Sequence, residues 1–392
     1  MTRLRIGLLT ASASRLGGGV FEAVVQQAQM IEAVGHTPVI IALGDKFSMA
    51  DRPRFKGAEV VTCTVLGPAS IGYAPQLVGH LHRLRLDVLH LHGIWMYPSR
   101  AGAVWARQSR RPYIISPHGM LAPWITARGR WKKALARTYY ERSGWRQADL
   151  LHALTTAEAQ DIMRECGRTD TAVIPNAGPP PGAPRDTLPA PIISFVGRIH
   201  PKKNLNSLIR AWAMLQAADA LPPAAQLVIA GWGNQAQVAA LQQRIGDVAN
   251  VRFIGPVTGA AKQSLMERSR FAILPSLSEG LPMAVLEAWA APVPVLMSKH
   301  CQLPEGFNQG GAIDCGTTAN DIAAALRTAF AMDDRKWHAM AQAAQRLAST
   351  RFDRSRIAQL WNHTYEGLVS PKGRADAGKE IAGSSIADRR SS

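Results

Sequence analysis

The segment Ser278-Glu279-Gly280-Leu281-Pro282-Met283-Ala284-Val285-Leu286-Glu287 decides how this chain is read. An apolar run, Phe271 to Leu274, precedes it and reads as a buried strand. Pro282 fits the first position of a helix, where its missing N–H costs nothing. The order strand, short loop, helix puts Glu279 in the loop and Glu287 on the helix. At about 1.5 Å rise per residue, Glu287 lies roughly 7.5 Å from the helix start. Between the two acids is a helix N-terminus, whose unpaired N–H groups suit an anion. Sugar hydroxyls, a diphosphate and ribose hydroxyls have that layout. A bare pair of glutamates is more often solvated, so the assignment needs a second motif.

That motif is Ile192-Ile193-Ser194-Phe195-Val196-Gly197-Arg198-Ile199-His200-Pro201-Lys202-Lys203-Asn204-Leu205. Ile192 to Val196 reads as a buried parallel strand. Gly197 lets the backbone turn close to a ligand. Asn204 is placed to cap a helix with apolar positions Leu205, Leu208, Ile209, Trp212 and Leu215. Arg198 offers a bidentate fork and Lys203 a point charge, both suited to phosphate oxygens.

In this order and separation, Gly197-Arg198, Lys203, Glu279 and Glu287 resemble the retaining glycosyltransferases of the GT-B fold, family four. Ser116-Pro117-His118-Gly119-Met120-Leu121 and Cys301-Gln302-Leu303-Pro304-Glu305-Gly306 are similar to members from bacterial exopolysaccharide and lipopolysaccharide assembly. The resemblance runs from residue 5 to about 367. It departs at Pro292 and Ala177, where the family usually has Gly.

At 392 residues the chain exceeds one ordinary core, so two domains are expected. No apolar run approaches the ~18 residues that span a bilayer. Arg3, Arg5 and the short run Ile6 to Leu9 mimic a signal peptide, but the apolar core is too short. The expected location is the cytoplasm. Cys63, Cys166, Cys301 and Cys315 are scattered and predict free thiols rather than zinc or disulfides. The net charge of +17 concentrates between Arg100 and Arg146, where eleven Lys/Arg face one acid, Glu141. With no nucleic-acid signature nearby, an anionic lipid surface or acidic ligand is the expected partner.

The first half alternates strands (Ile6 to Leu9, Pro38 to Leu43, Val60 to Val65, Val88 to Leu91, Tyr113 to Ser116) with helical stretches such as Phe21 to Val34. The rhythm restarts at Ile192 to Val196, Gln226 to Ala230, Val251 to Ile254, Phe271 to Leu274 and Val293 to Met297. The fold class is therefore α/β, with two Rossmann-like domains of parallel sheet and a cleft between them. Expected boundaries are 1–175 for an acceptor domain, 176–190 for a Pro-rich linker and 191–353 for a donor domain. A helix at 354–369 crosses back to the first domain in proteins of this fold, and 370–392 reads as a disordered tail.

Gly17-Gly18-Gly19, between the first strand and its helix, suits close approach of backbone to a ligand. The resemblance makes it the loop over the diphosphate and acceptor. His118 follows a strand at the same edge, and in the family the matching His contacts the donor sugar. His90 and His92 share a strand face, with no carboxylate partner for metal; His92 is expected to line the acceptor cleft. Trp131, Leu135 and Tyr139 recur at four-residue steps among Lys132, Lys133, Arg137 and Arg142, a basic amphipathic helix for an anionic membrane or, equally, a core-facing stripe. Gly231-Trp232-Gly233 and Gly255-Pro256-Val257 also end strands at that edge.

The resemblance implies retaining transfer of a sugar from a nucleotide-diphosphate sugar to a growing saccharide, on a polyprenyl diphosphate lipid. Arg198, Lys203, Gly197, Gly280, Leu281 and Pro282 would hold the diphosphate, Glu279 the sugar and Glu287 the ribose. No cofactor and no metal are expected, since no Asp-x-Asp is present. The alternatives are a nucleotide-sugar epimerase on the same fold and a basic membrane- or nucleic-acid-binding module.

Overall fold

The computed structural model describes residues 3–127, 130–185 and 187–370, without the side chains of Trp124, Arg130, Trp131 and Lys132. The expected tail beyond 370 lies outside them. The described residues form two compact units, one built from residues up to Asn176 with those from Ser355 on, the other from Ala177–Arg354.

The first unit is a parallel sheet of seven strands: β1 (Arg5–Thr10), β2 (Thr37–Leu43), β3 (Glu59–Cys63), β4 (Val88–His92), β5 (Tyr113–Ser116), β6 (Leu150–Ala153) and β7 (Thr171–Val173). Their spatial order is β3-β2-β1-β4-β5-β6-β7. Strands β4, β5 and β6 are buried along their whole length, as central strands of a parallel sheet covered on both faces are. The second unit has six strands: β8 (Ile192–Val196), β9 (Gln226–Ala230), β10 (Val251–Phe253), β11 (Phe271–Leu274), β12 (Val295–Met297) and β13 (Ala312–Asp314). Their order is β10-β9-β8-β11-β12-β13, and every pairing is parallel. In each sheet the direction of strand addition reverses once, between β1 and β4 and between β8 and β11. Such a reversal opens a crevice at the carboxyl ends of the two strands.

The helix Arg354–Val369 belongs to the first unit. A buried polar chain ties it to the sheet, and its hydrogen positions follow from one fixed acceptor. The Ile174 carbonyl takes a hydrogen from His152 Nε2 at 2.7 Å, so His152 Nδ1 accepts from the Ser116 hydroxyl at 2.6 Å. Ser116 Oγ then accepts from His90 Nε2 at 2.6 Å, and His90 Nδ1 accepts from the Tyr365 hydroxyl at 2.9 Å. Gln27 Nε2 completes the chain on Tyr365 at 2.8 Å. Trp361 covers His90 and His152 with ring centroids 4.8 and 4.7 Å away. Burial holds both imidazoles in the neutral form, His152 down to about 4.

The Pro-rich segment expected as a linker is bonded into the second unit. Gly178 N–H donates to Phe352 O at 2.9 Å, Gly182 N–H to Ala290 O at 2.7 Å, and Ala177 is buried.

Candidate functional site

In the second unit, the loops after β8 and β11 meet at the crevice. Leu277 N–H donates to the Lys202 carbonyl at 2.8 Å. Asn204 does not cap its helix as its position suggested. It stands in the left-handed region at φ 58°, and its side-chain amide donates to Pro275 O (3.1 Å) and Thr317 O (2.7 Å). The loop after β9 locks on from the other side, with Ile199 N–H on Trp232 O at 2.7 Å. A Cβ on Gly231 would sit 1.8 Å from the Gly197 carbonyl, so the two loops touch only because residue 231 is Gly.

This framework brings Lys203 and Glu279 together at 2.5 Å, with Lys202 at 3.7 Å from the same carboxylate. The Glu279 side chain is 7% exposed. Burial pushes its carboxyl up, but the ammonium groups of Lys203 and Lys202 outweigh burial and hold it below the usual range. Lys202 is lowered, chiefly by burial and also by the charges of Lys203 and Arg198. Lys203 and Glu279, expected at separate phosphate and sugar positions, neutralise each other in the fold, and Lys202 joins them. Arg198 is exposed, its guanidinium over the Trp232 ring at 5.9 Å from the centroid.

The helix runs Met283–Ala290, so Pro282 is its N-cap rather than its first residue. Leu281 and Pro282 are buried, and Gly280 is half-buried. The Leu281 side chain therefore anchors the loop. Glu287 pairs with Lys262, from the helix Gly259–Arg268, at 2.6 Å. A Cβ on Gly197 would sit 3.2 Å from the Phe195 ring and 3.8 Å from the Lys203 stem.

In the first unit, Gly17 closes a short turn, Gly18 adopts φ 56° and ψ −127°, and Gly19 opens the helix Gly19–Ala33. The angles of Gly18 belong to glycine, whereas Gly19 has open space where a Cβ would stand. Asp45, after β2, secures this loop through Ser12 Oγ (2.7 Å) and Ser14 Oγ (2.9 Å). At the end of β4 and just past β5, His92 Nδ1 and His118 Nε2 lie 2.9 Å apart with the rings stacked. Burial, then the neighbouring His152, lowers His118 to about 3, so it is neutral at ordinary pH. His90 uses both ring nitrogens in the buried chain above, which removes the His-x-His pair as a metal ligand set.

The basic segment departs from expectation. Arg137 is paired with Glu165 at 2.5 Å, and Lys133 donates to the Ile125 carbonyl. Both cations serve the unit's own packing. Leu135 and Tyr139, by contrast, are 48% and 74% exposed, so they do not face the core. The Trp131 and Lys132 side chains lie outside the described residues. Among the described residues no helix is long and apolar enough to cross a membrane.

A family model described as glycosyl transferases group 1 matches residues 185–347, and one described as a glycosyl transferase 4-like domain matches 18–177. The D-inositol 3-phosphate glycosyltransferase of Rhodococcus opacus (strain B4) is 28% identical over 272 residues, covering 62% of this chain and 57% of its own. The glycogen synthase of Mycobacterium tuberculosis (strain CDC 1551 / Oshkosh) is 28% identical over 298 residues, 72% of this chain and 69% of its own. The chain thus spans about half the length of the first curated relatives it matches. The crystal structure of Anabaena Alr3699/HepE in complex with UDP and glucose is 21% identical, with a TM-score of 0.74 over 93% of this chain and 100% of that one. With one model on each unit and the GT-B fold shared along nearly its whole length, this chain belongs to the group 1 glycosyl transferases, family four.

Proposed function

We propose that this protein is a retaining glycosyltransferase that moves a sugar from a nucleoside-diphosphate sugar to a growing, lipid-linked saccharide in bacterial surface or exopolysaccharide synthesis. One observation carries the reading. At the crevice between β8 and β11, Lys203 and Lys202 flank the single carboxylate of Glu279 beside a helix N-terminus, and Arg198 adds a charge that Lys202 feels, three cations to one acid. A departing diphosphate gains negative charge as its bond to the sugar breaks, and preset cations and helix N–H groups stabilise that charge without a metal ion.

The second unit is then the donor domain and the first the acceptor domain. As the sugar C1–O bond to phosphate breaks, the acceptor hydroxyl oxygen bonds to C1 from the same face. Its proton passes to the departing phosphate. Glu279 orients the sugar, held ionised by Lys203, and Glu287 takes the ribose hydroxyls. His118 stands at the carboxyl edge of the first sheet as a neutral hydrogen-bonding group for the donor sugar. Exposed Leu135 and Tyr139 would touch the inner face of the cytoplasmic membrane, where a polyprenyl diphosphate acceptor resides. UDP in the HepE structure makes UDP the first nucleotide to try.

The test is a thermal-shift screen of UDP, GDP, ADP and CDP, followed by transfer from the matching nucleoside-diphosphate sugar. Stabilisation by one diphosphate and appearance of a glycosylated acceptor with retained anomeric configuration support the reading. No shift with any nucleotide, or an inverted product, refutes it.

A further inference from the structure

The turn that carries His118 is held in a strained form. Met120 N–H closes on the Pro117 carbonyl at 3.2 Å, and the central residues His118 and Gly119 have φ of 54° and 75°. Two left-handed residues make it a type I′ turn, a shape that Gly accepts freely and His does not. Contacts from both neighbouring strands keep it there. From the β4 side, His92 meets His118, and Trp95 Nε1 donates to the Met120 carbonyl at 3.2 Å. From the β6 side, Gly119 N–H donates to Glu158 Oε1 at 2.5 Å.

The other oxygen of Glu158 accepts from Leu154 N–H at 2.8 Å, just past the end of β6. One carboxyl group, 4% exposed and pushed by burial up to about 7 despite its two backbone N–H donors, therefore bolts the His118 turn to the adjoining strand end. Its own helix, Thr156–Cys166, does not need it for capping, because Thr155 already accepts the Glu158 N–H. A carboxylate buried to hold two backbone N–H groups of separate loops serves the geometry of those loops. We infer that Glu158 is a positioning residue, which holds His118 at the carboxyl edge of the first sheet in the orientation that sugar transfer requires. This rests on the reading of His118 as a donor-sugar contact.

The test compares Glu158→Gln, His118→Ala and the double variant with the parent. Gln keeps the shape of Glu but turns one acceptor oxygen into an amide that cannot accept. The assay is turnover of the nucleoside-diphosphate sugar that the parent uses in the transfer test above. If Glu158 acts through His118, E158Q lowers kcat by about tenfold or more with KM within about threefold, since small misplacements act on the reacting geometry rather than on nucleotide binding. The double variant is then no slower than H118A, and the His118 ring nitrogen resonances shift in E158Q. Unchanged kcat in E158Q beside a large loss in H118A overturns the inference and leaves the functional reading standing. Full activity in H118A overturns the reading beneath it. Should E158Q fail to fold, Glu158→Asp, which keeps the charge and shortens the reach, goes through the same cycle. Loss of fold in both makes the carboxylate a structural bolt and overturns the inference.

Discussion

Replacing Lys203 with Met tests the centre of the donor site without filling or emptying much space. The Met side chain retains most of the aliphatic stem and removes the ammonium that lies 2.5 Å from Glu279. The carboxylate, 7% exposed, keeps Lys202 at 3.7 Å as its paired cation. Stranding one partner of a buried pair costs about 3–5 kcal/mol, and the remaining lysine brings this to about 2–3 kcal/mol. For a unit the size of Ala177–Arg354, each kcal/mol moves Tm by about 2–4 °C, so K203M melts roughly 5–10 °C lower at pH 7. The effect has a defined pH dependence. The folded carboxyl of Glu279 titrates below its ordinary value, so the pair contributes stability above the unfolded pKa, and this is lost as pH falls through the folded one. The gap between parent and K203M is therefore widest near neutrality and closes in acid. Calorimetry on the parent, K203M, E279Q and the double variant checks this. The cycle gives a favourable coupling of about 1–3 kcal/mol at pH 7. Melting within 1 °C of the parent at pH 7, or strictly additive single variants, would refute the pairing as a source of stability.

Tyr365→Phe leaves His90 Nδ1 and the Gln27 amide without their buried partner, at about 1–3 kcal/mol for each group; urea unfolding of the first unit should show the loss, and an unchanged midpoint would contradict the polar chain. Arg198→Ala removes one charge-assisted contact to phosphate and weakens nucleoside-diphosphate binding about 10- to 150-fold by calorimetric titration, while an unaltered Kd removes Arg198 from the site. Activity is expected to persist in EDTA, and abolition with rescue by manganese would contradict charge stabilisation by side chains. Leu135→Ser with Tyr139→Ser should lower sedimentation with phosphatidylglycerol liposomes while leaving nucleotide affinity intact. Binding equal to the parent's would end the membrane role of this segment.

Fold class was legible because parallel strands buried on both faces leave long apolar runs, such as Pro38 to Leu43 and Ile192 to Val196. Strands β6, β7 and β13 were missed, because three or four residues broken by His152, Thr171 or Asp314 carry no clear period. The charged residues of the donor site were readable one by one, but not their pairing. Lys203 and Glu279 are 76 residues apart, and they meet only because β8 and β11 are neighbours in the sheet. Lys262 left no trace in sequence, since nothing near it marks a partner on another helix. Glu158 was hidden for a different reason. Three residues after Thr155, it has the spacing of an ordinary capping box, and only the folded chain turns it toward Gly119. Arg137 and Lys133 showed the opposite error: a run of cations looked solvent-facing, while two of its members were committed to Glu165 and the Ile125 carbonyl.

The placement of the last helix sets an order of events during synthesis. The strands of the first sheet are complete at Val173, but Tyr365 and Trp361, which cover His90 and His152, are made only after the entire second unit. At synthesis rates of about 5–20 residues per second, the uncovered histidine face waits roughly 10–40 s on the ribosome. The second unit, being continuous in sequence, can fold during that interval. Premature termination near residue 354 would therefore leave His90 without Tyr365 and both histidines without the Trp361 ring.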